Sequence, residues 1–129
     1  MNSFVIDFEP DRRVVWTVFR GVVTPADIAL ELDRTHAEVG ALQPDFVVVA
    51  DLTEVQEIQL ECVGGIGRMM DRFLALGVGR VVRIIPDPDK DFGFTILSHT
   101  HYRGRVPFQL CASRAEAEAV LSGLAGSVR

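Results

Sequence analysis

Apolar and polar residues alternate at the start of the chain. Phe4, Ile6 and Phe8 fall on one side of an extended segment and Asp7 on the other, which predicts a strand with one buried face. Glu9-Pro10-Asp11-Arg12 interrupts it with turn formers. Over residues 13–20 both sides are apolar, Val15, Thr17 and Phe19 against Val14, Trp16 and Val18, as in an inner strand covered on both faces. A connection this short joins antiparallel neighbours.

The period then becomes helical. Thr24-Pro25-Ala26-Asp27 supplies a capping hydroxyl, a proline at the first helical position and an acid that can reach back to the free amides. Ile28, Leu32, Thr35 or His36, and Val39 follow at helical spacing, with Gly40 as the stop. Residues 45–51 read as a strand buried on both faces, usual in parallel sheet. A mixed loop over 52–61 leads to a second helix from about Cys62 to Leu76, with Ile66, Met70, Phe73 and Leu74 inward and Gly77-Val78-Gly79 ending it. A strand at 80–85 and a Pro-Asp turn at 86–91 come next. A helix at 92–102, with Phe92, Ile96 and His99 on its inner side, and a last strand at 106–111 follow. Ser113-Arg114-Ala115-Glu116 is a capping box for a final helix through Ala117, Val120, Leu121 and Leu124. The order ββαβαβαβα predicts one α/β domain over residues 1–129: a mostly parallel sheet with an antiparallel first strand and about four helices. Ligands of such sheets sit beyond the carboxyl ends of the parallel strands, here at 51–54, 86–89 and 111–113.

The chain is 48% apolar and 24% charged over 129 residues, which suits a single packed domain and not a disordered one. Asp and Glu number 18 against 13 for Lys and Arg, a formal charge of −5, which argues against nucleic-acid binding and against a polybasic membrane patch. The longest purely apolar run, 46–50, is far too short for a membrane span. No secretory signal is visible, and two cysteines make no disulfide framework, so a cytoplasmic location is expected.

The opening hairpin, Gly21-Val22-Val23-Thr24-Pro25-Ala26-Asp27, the run from Phe46 through Asp51-Leu52-Thr53, and Ser113-Arg114-Ala115-Glu116-Ala117-Glu118-Ala119 after the last strand together resemble the SpoIIAA-like proteins. That group includes the STAS domains of sulfate transporters and anti-sigma-factor antagonists, and this chain is most similar to its uncharacterised STAS-like branch. In the regulatory members a serine at the start of the second helix is phosphorylated, which changes the charge a partner meets. Here Gln59, Leu60 and Glu61 stand where those members have Asp-Ser-Ser, and no serine occurs between Ser3 and Ser98. Thr53 is the nearby hydroxyl, at the strand end. The resemblance therefore implies a SpoIIAA-like fold that acts by binding, without the serine switch.

Candidate chemistry is sparse. His99 and His101 are two apart, so on a helix they diverge rather than share a metal, and His36 is remote; one of the pair is expected to pack inward and the other to be solvated. Ser98 beside His99 lacks a nucleophile elbow. Cys62 near a helix start would favour a thiolate, against the simpler reading of a small buried hydrophobe, and Cys111 reads as core. Asp51, Asp87, Asp89 and Asp91 lack the paired acids and well-placed lysine of a receiver site, since Lys90 lies in the acidic turn itself. Arg68 and Arg72 share a helix face, and Arg103 and Arg105 flank Gly104; either pair could meet an anionic partner group.

Val55, Ile58, Leu60 and Val63 either cap the sheet or leave an exposed patch, and Gly64-Gly65-Ile66-Gly67 allows either close helix packing or approach of a ligand. The expectation is a non-enzymatic domain that binds a protein partner or itself, with a homodimer favoured by a mean hydropathy of +0.23. Its contacts are expected at Asp51, Thr53, Val55, Ile58, Leu60, Cys62, Gly64, Gly65 and Arg68, with no catalytic residue, metal or cofactor. The alternative is a carrier of a small apolar ligand or lipid, held near Ile66, Met70, Phe92 and Phe94. A third reading, an enzyme built on Cys62 or His99, has the least support.

Overall fold

In a computed structural model, which describes residues 2–127, strand β1 (Phe4–Glu9) buries Phe4 and Ile6 and exposes Asp7. A single 3-10 turn, Pro10–Arg12, closes with Arg13 in the left-handed region (φ 56°) and returns the chain antiparallel as β2 (Val14–Val23). Helix α1 (Pro25–Arg34) opens with the full capping box, the Asp27 amide donating to Thr24 Oγ1 and the Thr24 amide to Asp27 Oδ2. The helix does not run through to Gly40. Thr35, fully buried, donates its hydroxyl to Glu31 O at 2.7 Å, the backbone leaves the helical region there, and α2 (His36–Gly40) restarts as a separate turn.

Strand β3 (Val47–Ile58) is followed by α3 (Val63–Leu76), β4 (Arg80–Ile84), α4 (Phe94–His101), β5 (Phe108–Cys111) and α5 (Arg114–Ser127). The five strands lie in the order β1-β2-β3-β4-β5, with only the β1–β2 pair antiparallel. This is the α/β architecture that the alternation of periods implies. Helices α1, α3 and α4 cover one face over a core that includes Phe4, Phe19, Phe46, Phe73 and Phe94, while α5 covers the other over Trp16, Val49, Val82 and Leu121. No helix among the described residues is long and apolar enough to cross a membrane.

Two segments depart from the pattern-based expectation. The loop expected at 52–61 is mostly strand: β3 continues beside β2 to Ile58. Pairing passes from Val18↔Asp51 to Arg20↔Glu54, and from Gly21↔Val55 to Val22↔Glu57, so β3 carries an extra residue at each step. These bulges put Leu52 and Val55, three apart, both inside, and that erases the period of two. In α4 the inner side is Phe94 and Ser98, whereas Ile96 is 72% exposed and His99 is exposed. The inward polar residue is drawn by a buried arginine on β4, described below.

Candidate functional site

The chain leaves β3 at Ile58 and enters α3 through a 3-10 turn, Leu60–Cys62. The corner is pinned from beneath, the Gln59 amide donating to Val23 O at 3.0 Å and the Cys62 thiol lying 3.4 Å from the same oxygen, and is closed on itself by the Cys62 amide donating to Gln59 O at 2.9 Å. Val55 and Cys62 are closed off in the core, and Ile58 packs against it. Leu60 is left on the outside, 80% exposed, with Val63 at 40% beside it. Pro25, Glu57, Gln59 and Glu61 line a shallow hollow together with Leu60. Of the four apolar residues expected as a patch, the structure therefore exposes Leu60 and Val63 and spends Val55 and Ile58 on the core. Burial, and then the negative charge of Glu61 and Asp27, pushes the Cys62 thiol up, so its place before α3 does not produce a thiolate.

Of the glycines at the start of α3, Gly65 and Gly67 serve packing. A Cβ on Gly65 would come within 3.0 Å of Ile28 Cγ2 on α1, and one on Gly67 within 2.5 Å of His101 Nε2 on α4. On Gly64 it would meet the Arg68 guanidinium at 3.3 Å. His101, seated on Gly67, also bonds Asp71 (Nδ1···Oδ1 2.8 Å), and His99 is exposed, so one histidine packs inward and the other is solvated, but the inward one is His101 and not His99. His36 meets Arg72, its Nδ1 at 3.1 Å and its carbonyl at 3.0 Å from the guanidinium.

Where the pairing of β3 with β4 ends, Asp51 is buried and accepts from Thr53 N at 3.0 Å and Thr53 Oγ1 at 2.6 Å. Arg114 lies 3.5 Å from its other oxygen and stacks over Trp16, 4.2 Å from the ring centre. Lys90 donates to Thr53 O at 3.2 Å. Asp51 and Thr53 are thus internally satisfied and tie β3 to α5 and to the 3-10 turn Pro88–Asp91. The acids at this end go separate ways: Asp87 accepts the Asp89 amide, and Asp91 faces Arg83. Among the described residues no three His, Cys, Asp or Glu side chains converge on a point that could hold a metal ion.

Arg83 is the residue that pattern reading passed over. It sits in mid-β4 at 1% exposure, under α4. Its guanidinium donates to Ser98 Oγ at 2.5 Å, Thr95 Oγ1 at 3.2 Å, Asp91 Oδ1 at 3.4 Å and Phe94 O at 3.4 Å, while Nε has no partner. The rings of Phe94 and Phe108 flank it, each 5.7 Å from its central carbon. Burial lowers its pKa, and the nearby Asp91 charge works in the opposite direction. A charge inside the run Val81-Val82-Arg83-Ile84-Ile85 was the available signal.

The apolar-ligand site expected near Ile66, Met70, Phe92 and Phe94 is filled: three of these are core residues and Phe92 packs against them. An apolar cleft of about 520 Å³ lies instead at the opposite end of the sheet. Phe8, Val14, Leu42 and Phe46 line it, with Glu9, Arg13 and Glu38 among its polar neighbours. Its walls come from two separated stretches, 8–14 and 38–46, which no local period links.

These features define a SpoIIAA-like α/β domain. A crystal structure of an uncharacterised protein of the DUF3478 family from Shewanella loihica PV-4, described as having a SpoIIAA-like fold, superposes with a TM-score of 0.69 at 14% identity, covering 92% of this chain and 91% of that one. At that identity the likeness establishes the fold. No family model and no curated protein matches the chain.

Proposed function

We propose that this chain is a non-enzymatic docking domain whose partner, a protein, is met at the β3–α3 corner. The observation that carries this reading is Leu60, 80% exposed on a turn held by two contacts to Val23 O beneath it and closed by one bond of its own. An apolar side chain presented on a rigid turn is an anchor in search of a pocket. Glu57 and Glu61 beside it select a partner surface with basic residues around an apolar depression. The corner contains no phosphoacceptor, so docking here is constitutive rather than switched at the family's serine position.

A photo-crosslinking amino acid at position 60, in cells, is expected to yield one or a few discrete adducts that Val63→Asp removes, with none from position 100 on exposed α4. Absence of adducts at position 60, or equal adducts at both positions, overturns the reading. The amino-end cleft favours a second reading, a site for a small apolar ligand. Native mass spectrometry of freshly purified protein tests it: a reproducible extra mass lost in Leu42→Arg supports the site, and the bare chain mass alone refutes it.

A further inference from the structure

The sheet has two edges, and the chain treats them differently. On β1 the outward Ile6 amide donates at 2.7 Å to the carboxylate of Glu31, which reaches over from α1 and is 4% exposed. On β5 no side chain among the described residues is seen to play that part. Val81 N donates to Pro107 O and Ile85 N to Cys111 O, so these alternate residues turn their backbone groups to β4, and Phe108 and Leu110 turn theirs outward. Both side chains stand on the α4 face, in register with Val81 and Arg83, and are 51% and 53% exposed. Edge strands are ordinarily guarded by charges, an internal proline or a bulge. Phe108-Gln109-Leu110-Cys111 has none of these, since Pro107 precedes the strand.

We propose that β5 is the self-association edge of this protein, two copies joining antiparallel about a two-fold axis at Gln109 so that two five-stranded sheets become one. In that register Phe108 faces Leu110 of the second copy, and each such pair exchanges both N–H···O=C bonds, which uses every outward backbone group of the two residues. Their side chains pair across the strands on one face, apolar against apolar. On the other face Gln109 meets its own copy, amide to amide.

Charge also favours a second copy over a different protein. The strand is preceded by exposed Arg103 and Arg105, and followed by exposed Glu116 in the first turn of α5; none of the three has an ion pair within the described residues. Counting outward from Gln109, Arg105 falls opposite Ser113 of the second copy, at the foot of the helix that carries Glu116. Arg114, in the same turn, is already engaged by Asp51 and Trp16, so the unpaired charges are basic at one end and acidic at the other. Such a segment complements itself when run antiparallel, and a two-fold axis makes each such contact twice. The same pairing covers Phe108, whose ring shields the Arg83 guanidinium.

Sedimentation of the whole chain across a concentration series tests this. The wild type is expected to dimerise, Leu110→Lys to raise the dissociation constant at least about tenfold with unchanged circular dichroism, and Leu60→Asp to leave it unaltered. Gln109→Cys is expected to give a disulfide-linked dimer on mild oxidation, and Thr100→Cys is not. A wild type that stays monomeric at every concentration, or a dimer that survives Leu110→Lys, overturns the inference. A dimer lost in Leu60→Asp but kept in Leu110→Lys also overturns it, while upholding self-docking at the β3–α3 corner.

Discussion

β1 and β5 are both short edge strands with apolar side chains on the same face of the sheet, yet one is closed and the other open. Above β1 lies α1, which buries Phe4 and Ile6 and lends Glu31 to the outward amide of Ile6. Above β5 lies the end of α4, which turns inward to Arg83 through Phe94, Thr95 and Ser98 and leaves Phe108 and Leu110 half exposed. The difference is one of supply. Helix α1 has a carboxylate that reaches its edge while also holding Arg34, whereas Thr95 and Ser98 of α4 are committed to a buried cation. A buried charge missing a partner costs far more than an edge left to solvent, so α4 serves Arg83 and β5 stays bare.

The largest expected effect lies on the closed edge. Glu31→Ala strands a buried backbone donor and is expected to cost about 2–3 kcal/mol in urea denaturation. A loss under about 0.5 kcal/mol would mean that the carboxylate is ornamental and that the edges do not differ in kind. Arg34 is not counted in this figure, because its side chain is 57% exposed.

The next effect is pH dependence. Burial works to raise the Glu31 pKa, but hydrogen bonds from Arg34 and from the Ile6 amide outweigh it and hold the carboxyl below the ordinary glutamate value. The unfolded chain therefore binds the proton more readily. The stability that Glu31 contributes is complete above its unfolded pKa and is lost as pH falls through its lower folded one. Glu31→Gln is expected to flatten the acid limb of the stability profile, and a profile parallel to wild type would break the account. Smallest is the open edge: Leu110→Lys is expected to change monomer stability by no more than about 0.5 kcal/mol, since its side chain already stands half in water. A larger loss, read from denaturation at a concentration where only monomer is present, would show that Leu110 is core after all.

Much of the fold was legible because its signals are local. Thr24, Pro25 and Asp27 announce α1 within four consecutive residues, and the structure contains that capping box intact. Alternation in β1 and the double apolar face of β2 are likewise carried by neighbours in sequence. The second half of β3 was not legible, because its bulges break the period by which strands are recognised. Nor was the inner face of α4: Ser98 reads as polar and outward until Arg83 is known to lie beneath it. Of the candidate site, Leu60 stands outside as the patch reading required, while Val55 and Cys62 went to the core and Gly65 and Gly67 to the seams with α1 and α4.

The sequence by itself determined the alternation of strand and helix and the parallel sheet with its antiparallel opening strand. Both rest on side-chain chemistry and chain connectivity within short windows. Only the tertiary structure decided which apolar residues near the β3–α3 corner remain outside, that a guanidinium lies under α4, where the apolar cleft opens, and which edge of the sheet is guarded. Each of those depends on what a distant segment brings to the same place, and no run of neighbouring residues records the distance between Ile6 and Glu31 or between Arg83 and Ser98.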